Sequence, residues 1–382
     1  MTEGSDRLRV AAIQAAPVLL DRGRTVDKAC SLIREAGRNG ARLIAFGECF
    51  LPGHPVWFHL LPVTHPRAIE LSSALVDGAI AVPGPESTGL AAAARDAEAI
   101  VVIGIVERPD PRAAVIHDAQ LVVGPTGVLG VRRKIATAVG ERVIFNPGGA
   151  ESIRAFEAPW GTFATLAGGE NSNPLLTAAL RSLGARVHVA AWPPHFNKPG
   201  LMGEVMTITG RAIAYQNTAY VVAVAGATAP EAIDLLATTN EQRALLEAMA
   251  ADPGSAIWAP RGALLAGPLV GGEGILYADL DLGQGTWAQL VNRQYDRPDL
   301  LRLAVAGAPE SGAAAVLSSD DDASLRRLIA DRFGDRLSAA DVDELVPYAR
   351  GIRAAGERLA ALGLEDADPR TAGFAEDQRQ LE

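Results

Sequence analysis

Apolar runs of strand length alternate with segments of helical spacing along most of the chain. A short apolar run is typical of a buried strand, and apolar side chains that recur every three or four residues are typical of a helix. We predict strands at 9–14, 41–46, 100–107 and 187–191 and helices at 25–37, 90–97 and 175–182. Strand, helix and strand in repetition predict an α/β protein built in layers.

Two further pairs of apolar runs are joined by short turns. Glycine and proline lie in both turns, G-P-T-G at 124–127 and P-R-G at 260–262, which is typical of hairpins. The flanking runs are 119–123 with 128–134 and 255–259 with 263–266. Hairpins in an otherwise alternating chain predict mixed sheets.

The composition changes after about residue 303. Residues 304–315 are rich in alanine, glycine and proline, and amphipathic helices and a polar, solvated tail are expected after them. The predicted organisation is a domain over 1–303 and a helical extension over 304–382, with helices at 339–346 and 348–362.

Composition and charge narrow the class of protein. The chain has 382 residues, 48% of them hydrophobic, and 35 lysine and arginine residues against 45 aspartate and glutamate residues give a net charge of −10. Such a chain is not drawn to phosphate backbones or anionic lipid, so neither nucleic acid nor a membrane is an expected partner. No apolar stretch is long enough to span a membrane, and the first nine residues lack the pattern of a signal peptide. We therefore expect a cytoplasmic protein.

The two cysteines, Cys30 and Cys49, are too few for a disulfide framework and lack the paired spacing of a zinc site. We predict no metal and no cofactor. Cys49 adjoins Glu48, but successive strand residues face opposite sides, so we expect a buried structural thiol that faces away from the cleft.

Three strand ends carry candidate chemistry. Glu48 follows the run 41–46 and Lys134 ends the run 128–134, where a carboxylate can line a cleft and a lysine can bind an oxyanion. Taken singly, each is more simply a solvated charge at a strand end. A third strand ends at Gly168, and Asn173 is the predicted N-cap of the next helix, a join that suits a nucleophile elbow. At this elbow the side chain is only a hydrogen atom.

Together these segments resemble the nitrilase branch of the carbon–nitrogen hydrolase superfamily. The resemblance lies in F-G-E-C-F-L-P-G-H-P-V-W at 46–57, in R-R-K and E-R within 132–142, and in G-E-N-S-N-P-L at 169–175. Further segments in the same order extend it over about residues 8 to 303. It implies an α/β fold of the nitrilase type, an αββα sandwich with two mixed β-sheets packed face to face and helices outside.

The resemblance also implies roles for single residues. It places Glu48 at the catalytic glutamate, Lys134 at the catalytic lysine and Glu141 at a second glutamate. Gly168 stands where the family has its cysteine nucleophile, and the Gly169 N–H belongs to the site that holds developing negative charge. Segments that resemble the family's substrate pocket contain His54, Trp57, His117, Thr137, Glu170, Asn171, Trp192, Pro193 and His195.

Gly168 is not the only departure from the family pattern. The others are Ala167 before it, Thr137 and Ala138 after the lysine, I-H-D at 116–118 in place of a Tyr-Asn pair, and Gln216. The small residues Ala167 and Gly168 are expected to leave room for a water or a bulkier substrate. His117 titrates near neutral pH when unperturbed and is a candidate acid or base, although a histidine outside the site is the simpler interpretation.

Two hypotheses remain open. In the first, the chain is an enzyme without a covalent intermediate, in which Glu48 is the general acid or base, Lys134 stabilises charge and Glu141 is the second carboxylate. It would act on a small C–N compound such as a nitrile or amide by hydration, hydrolysis, elimination or cyclisation. In the second, the protein is a silent scaffold whose charged trio holds the fold. The desolvation cost of a buried trio favours the first, so a small molecule is the expected partner.

We also expect a homodimer or a larger homo-oligomer. Nitrilase relatives pair through the helices next to the cysteine segment. The amphipathic helices after residue 322 carry apolar faces that need a surface to cover them.

Overall fold

A computed structural model describes residues 7–138, 140–252 and 254–284, together with 287, 291, 326, 338, 340–343 and 345–347. The strands are β1 Arg7–Gln14, β2 Leu43–Phe46, β3 Ile100–Glu107, β4 His117–Gly124, β5 Gly127–Arg133, β6 Ala155–Ala158, β7 Gly161–Ala167, β8 Val187–Trp192, β9 Tyr220–Ala225, β10 Ala256–Trp258, β11 Leu264–Ala266 and β12 Gly274–Asp281. The helices are α1 Arg22–Arg38, α2 Pro66–Gly78, α3 Pro85–Asp96, α4 Pro174–Ser182, α5 Leu201–Gln216, α6 Pro230–Leu236 and α7 Asn240–Ala250.

The strands form two six-stranded sheets with mixed pairing. The first has the order β12-β1-β2-β3-β4-β5, in which β1, β2 and β3 are parallel and the other pairs are antiparallel. The second has the order β11-β10-β9-β8-β7-β6, in which β7, β8 and β9 are parallel. Each sheet therefore has a parallel centre with antiparallel edges, as the predicted hairpins require.

The two sheets pack against each other, and helices cover their outer faces. Val10 and Val102 of the first sheet share one buried cluster with Val189 and Val222 of the second. On the outer side of the first sheet, α1 and α3 pack against alternate residues of the same strands, and α5 packs on the outer side of the second. Because both faces of each sheet are buried, the central strands read as continuous apolar runs. The predicted αββα sandwich is confirmed.

Within residues 7–284, the predicted strands and helices are confirmed to within five residues at either end, including both hairpins. The helix predicted after the elbow begins at Pro174, and the Asn173 side chain caps it by accepting the N–H groups of Leu175 and Leu176. The sequence pattern does not predict β6, β9, β12, α2, α5, α6 or α7. Strand β6 has only four residues, too few for a period to be visible.

The predicted extension over 304–382 lies almost entirely outside the described residues. Within it, residues 340–343 and 345–347 are helical, in the span where a helix is expected at 339–346. The chain divides into units of 1–306 and 307–382. The domain organisation stays a prediction. Among the helices that the structure describes, none combines the length and the apolar character that crossing a bilayer requires.

Candidate active site

Strands β2, β5 and β7 end close together at one edge of the two packed sheets. Glu48 follows β2 by two residues, Lys134 follows β5 directly, and Gly168 follows β7 directly. The N–H of Glu48 donates to the carbonyl of Trp192 at the end of β8 (3.0 Å), which ties the two sheets together at this edge. The N–H of Lys134 donates to the carbonyl of Asp118 (2.7 Å). Backbone hydrogen bonds thus fix the main chain at both candidate residues.

Lys134 is the centre of a buried charged cluster, and we call Glu48, Asp118, Lys134 and Glu141 the Lys134 cluster. The Lys134 Nζ donates to Glu48 Oε1, lies 2.7 Å from Glu141 Oε2 and lies 3.3 Å from Asp118 Oδ2. None of the four side chains is more than 5% exposed. The predicted trio of Glu48, Lys134 and Glu141 is brought together, and Asp118 joins it.

The cluster shifts the pKa values of its members in different directions. Burial raises the pKa of Glu48 well above its usual value; Lys134 opposes this rise, and Asp118 and Glu141 add to it. Burial alone would lower the pKa of Lys134, but the three carboxyl groups outweigh it and hold the pKa well above its usual value. Glu141 has a strongly lowered pKa because the His54 hydrogen bond and Lys134 overcome the effect of burial. Glu141 is therefore ionised, whereas Glu48 is suited to carry a proton.

Gly168 adopts a backbone conformation that L side chains rarely take, with φ +47°. A Cβ built on it would lie 2.5 Å from Glu48 Oε2 and 3.0 Å from Lys134 Nζ. The space above Gly168 is thus filled by these two side chains, so the room expected there for a water or a substrate is not present. A Cβ on Gly169 meets nothing within 4 Å, and this residue is exposed. The open side of the elbow lies at Gly169.

Glu170 and Arg132 form a second buried ion pair, which we call the elbow clamp. Arg132 Nη1 and Nη2 each donate to one Glu170 carboxylate oxygen, the latter at 2.8 Å, and neither side chain is more than 1% exposed. The same carboxylate accepts the backbone N–H groups of Ile135 (2.7 Å), Ala136 (3.2 Å) and Ala167 (3.2 Å). Glu170 was predicted in the pocket. It instead joins the loop after β5 to the elbow after β7.

Asn171 stabilises the elbow through side-chain hydrogen bonds to its backbone. Its Nδ2 donates to the carbonyls of Leu166 (3.3 Å) and Gly168 (3.0 Å), and its Oδ1 lies 2.8 Å from His188 Nε2. Burial, together with the nearby Arg132 charge, lowers the pKa of His188 to about 3, so His188 is neutral. Neutral His188 can donate this hydrogen bond. Asn171 therefore holds the turn, without a free group to offer a substrate.

Some of the other predicted pocket residues lie next to the Lys134 cluster. His54 Nε2 lies 3.3 Å from Glu141 Oε1, and the His54 ring stacks on Phe196. Trp192 is buried with its indole N–H unpartnered, and Pro193 is buried beside it. Thr137 is half-buried in the loop between Lys134 and Glu141.

Three other predicted pocket residues make their polar contacts with residues outside the Lys134 cluster. His117 Nδ1 bonds the carbonyl of Asn146 (2.8 Å), and burial and Arg133 lower its pKa, so it has other neighbours than the Lys134 cluster. The Trp57 indole N–H donates to Ser72 (3.1 Å) inside an apolar cluster. His195 lines a cavity of about 10 Å³ with Gln14, Thr228 and Asp252, and its Nδ1 lies 3.5 Å from Asp252.

Cys49 is buried, as predicted, but it does not face away from the charged residues. It lies in a turn with φ +48°, beyond the end of β2, so the alternation of strand residues does not apply. Burial raises the pKa of its thiol well above the usual value, and Asp118 and Glu48 raise it further. The thiol is therefore neutral and a poor nucleophile.

Asp118 is the residue that sequence reasoning missed. It occupies the second position of β4, is 0% exposed, and neither carboxylate oxygen has a hydrogen-bond partner. The I-H-D run at 116–118 contains two titratable residues, and the sequence favours His117 because its side chain titrates near neutral pH. Neighbouring strand residues face opposite sides, so only one of the two can reach the site.

The carboxylates and histidine of this site have the composition of a metal site, yet their geometry favours the lysine. One ligand atom each from Glu48, His54 and Glu141 lie within 4.8 Å of one another. The Lys134 ammonium already contacts both glutamates and supplies the positive charge that a metal ion would bring. These residues therefore do not fit a metal ion while Lys134 is charged.

Comparison with known proteins places this geometry in a family. The family model described as carbon-nitrogen hydrolase matches residues 9–288. An arylacetonitrilase of Aspergillus kawachii is 33% identical over 79% of this chain and 93% of its own length, and a nitrilase of Pseudomonas syringae is 35% identical over 78% and 89%. A Saccharomyces cerevisiae member of branch 10 of the nitrilase superfamily is similar in structure, with a TM-score of 0.59 at 19% identity over 76% of this chain and 96% of that one. The chain belongs to the carbon–nitrogen hydrolase family, the nitrilase superfamily.

Proposed function

We propose that the protein is an enzyme that acts on a small C–N compound without a thiol nucleophile, and that Gly168 occupies the position of the family's cysteine. The observation that carries this proposal is that Glu48 and Lys134 lie directly beside Gly168, in the space that a Cβ on this residue would occupy. A proton donor, an ammonium and an exposed Gly169 meet there, but the elbow residue has no side chain to attack a carbon atom. The chemistry then falls to acid and base groups.

Hydration of a nitrile is a reaction that these groups can complete. A water oxygen bonds to the nitrile carbon while Glu48 donates its proton to the nitrile nitrogen. The proton that the water loses returns to Glu48, and the resulting imidic acid rearranges to the amide. Lys134 balances the negative charge on Glu48 during the step, and the Gly169 N–H can stabilise negative charge at the substrate. Hydrolysis, elimination or cyclisation would use the same groups in the same roles.

Glu141 acts in this proposal through Lys134. Its carboxylate accepts from Lys134 Nζ at 2.7 Å and from the Ala138 N–H at 2.7 Å, so it holds the ammonium beside Glu48. It is ionised throughout, since its pKa is strongly lowered by His54 and Lys134.

Turnover of a nitrile panel tests the proposal. Arylacetonitriles and aliphatic nitriles come first, because proteins named arylacetonitrilase and aliphatic nitrilase are among the relatives. We expect amide formation, measured by chromatography, that is abolished in Glu48→Gln and in Lys134→Met and kept in Cys49→Ala. Rapid ammonia release, with a substrate adduct on Cys49 in the intact mass, would contradict a mechanism without a thiol.

The second candidate is a silent scaffold, favoured by one observation. Glu48 and Lys134 fill the space above Gly168, as a purely structural ion network would. A broad screen of nitriles, amides and amidines that finds none consumed, with Glu48→Gln and Lys134→Met binding a ligand as the parent does, would establish the scaffold.

Restoring the thiol separates the two candidates further. Gly168→Cys places a sulfur next to Glu48 and Lys134, the groups that activate the family's cysteine. We expect acid and ammonia from the variant where the parent gives amide, with a covalent intermediate visible by mass spectrometry. The positive φ of Gly168 and the short approach to Glu48 limit the recovered rate.

We also propose a cytoplasmic homodimer or larger homo-oligomer that binds neither nucleic acid nor membranes. Leu175 of α4 and Ile208 and Tyr215 of α5 are large apolar side chains that are at least 60% exposed. Both helices flank the elbow, so a partner copy could cover them. A mass near 39.8 kDa by light scattering at micromolar concentration would contradict assembly.

A further inference from the structure

The Lys134 cluster holds one cation and three carboxyl groups. With all four groups ionised, it would carry two uncompensated negative charges where no side chain is more than 5% exposed. Buried groups in this position take up a proton rather than remain charged. At least one of the three carboxyl groups is therefore expected to be protonated.

Hydrogen bonding shows which carboxyl groups lack partners. Glu141 accepts from Lys134 and from the Ala138 N–H, and it contacts His54. Glu48 accepts from Lys134 through Oε1, but its Oε2 has no partner. Asp118 has an ion-pair contact to Lys134 at 3.3 Å and no hydrogen bond to either oxygen. The carboxyl oxygens that lack a hydrogen-bond donor therefore belong to Glu48 and Asp118.

These two carboxyl groups contact the same Lys134 Nζ, Glu48 through Oε1 and Asp118 through Oδ2 at 3.3 Å, so they lie next to each other in the buried cluster. Asp118 adds to the raised pKa of Glu48. Two carboxylates cannot face each other in a dry site, but a carboxylic acid and a carboxylate can, because the acid supplies the missing donor. The other titratable groups that face the pair are Lys134, Glu141 and the Cys49 thiol. The thiol is neutral, so it neither supplies the missing charge nor adds to the excess.

We propose that Glu48 and Asp118 form a carboxyl pair that shares one proton, and that Asp118 is a positioning residue that holds Glu48 in its acid form. The inference deepens the proposed function, because it sets the protonation state in which Glu48 meets a substrate. Asp118 acts through Glu48 and need not touch the reacting atoms.

The competing explanation is that burial alone keeps Glu48 protonated. The two explanations differ in what happens when the Asp118 charge is removed without a change in shape. Under the carboxyl pair, Asp118→Asn frees Glu48 to ionise beside Lys134. Under burial alone, Glu48 stays as buried as before and keeps its proton.

Infrared difference spectroscopy of the full-length protein distinguishes them without any substrate. A protonated carboxyl group has a carbonyl stretching band that disappears on ionisation, and its intensity is followed against pH. We expect the band in the parent at neutral pH, its loss in Glu48→Gln, and a midpoint lowered by about one pH unit or more in Asp118→Asn. An unchanged midpoint in Asp118→Asn overturns the pairing, as does the lack of the band in the parent.

Matched variants show whether a shifted midpoint comes from the lost Asp118 charge or from a general disturbance of the structure. Asp118→Glu keeps a second carboxyl group and is expected to retain the band at neutral pH. Glu107→Gln removes a buried carboxylate that faces Arg133 at 2.7 Å instead of another carboxyl group, and it leaves the midpoint unchanged. If Asp118→Asn does not fold, Asp118→Thr removes the same charge and decides in its place. Because no turnover is measured, failure here is separate from failure to find a substrate.

Discussion

Arg132 and Lys134 lie two residues apart at the end of β5, and they meet opposite kinds of ionic environment. Arg132 in the elbow clamp faces one carboxylate, and Glu170 accepts three backbone N–H groups besides the guanidinium. Lys134 faces three carboxyl groups, two of which have unpartnered oxygens. In the elbow clamp the charges balance and the carboxylate oxygens all have partners. In the Lys134 cluster the carboxyl groups outnumber the cation and some of their oxygens have no partner.

The difference teaches how to read buried charge in this fold. A charge-balanced ion pair with all its hydrogen bonds made holds two loops together, and it has no proton to exchange with a substrate. An unbalanced cluster keeps a proton that it can exchange, and groups with perturbed pKa values are found more often at catalytic sites than elsewhere. The elbow clamp therefore serves the fold, and the Lys134 cluster is the candidate for function.

Breaking the elbow clamp should have the largest effect on stability. Glu170→Gln leaves a buried guanidinium without its carboxylate, and we expect the free energy of unfolding to fall by about 3–5 kcal/mol. Urea unfolding followed by circular dichroism measures the loss. Glu107→Gln is the control, because its partner Arg133 is 34% exposed and a water-accessible cation costs less, about 1 kcal/mol. Equal losses in the two variants would remove the special role of the clamp.

Removing the cation of the Lys134 cluster should have a smaller effect that depends on pH. Lys134→Met raises the folded-state pKa values of the remaining carboxyl groups above their unfolded values. Groups of this kind contribute stability at low pH, and the contribution is lost as pH rises through the folded pKa. We expect a loss of about 3 kcal/mol at about pH 8 and clearly less at about pH 5, from unfolding curves at both pH values. A loss that does not change with pH would mean that the carboxyl groups do not take up protons.

The two elbow glycines provide a matched pair with a smaller difference. Gly168→Ala places a Cβ at φ +47°, 2.5 Å from Glu48 Oε2, and should cost about 1–3 kcal/mol. Gly169→Ala adds a Cβ that meets nothing, so its effect should stay within about 0.5 kcal/mol. Thermal unfolding of both variants under one condition measures the difference. A harmless Gly168→Ala would show that Glu48 moves aside freely.

The comparison also separates what the sequence can predict from what it cannot. The apolar runs before Glu48, Lys134 and Gly168 predict three strand ends, and the sheet order brings these ends to one edge. Because these strands are buried on both faces, their sequences are continuous apolar runs, and the fold can be predicted from them. Pairing between side chains of distant strands leaves no such period, and the contacts of Glu170 with Arg132 could not be predicted in this way.

His117 and Asp118 illustrate the limit at the level of single residues. Both are polar residues at the start of β4, and the register of the strand decides which of them faces Lys134. An uninterrupted buried strand gives no polar and apolar alternation from which to assign the two faces. The predicted orientation of Cys49 is wrong for another reason. Cys49 lies in a turn with a positive φ, so the alternation of side chains along a strand does not apply to it.

Only a small effect on stability should come from changing Glu48, the residue that we propose as the acid and base in turnover. With its raised pKa, Glu48 is expected to hold a proton in the folded state, so Glu48→Gln replaces one neutral group by another of the same shape, and the change should stay within about 1 kcal/mol. Glu141→Gln is the control and should cost more, because an ionised acceptor of Lys134 and of the Ala138 N–H is lost.

The raised pKa of Glu48 gives a further test. Above its usual value near 4.5, the unfolded chain ionises Glu48 while the folded protein does not, so the parent loses stability as pH rises. Glu48→Gln lacks this loss, and its stability relative to the parent should therefore increase between about pH 5 and about pH 8. A stability difference that is constant over this range would mean that Glu48 is already ionised at the lower pH.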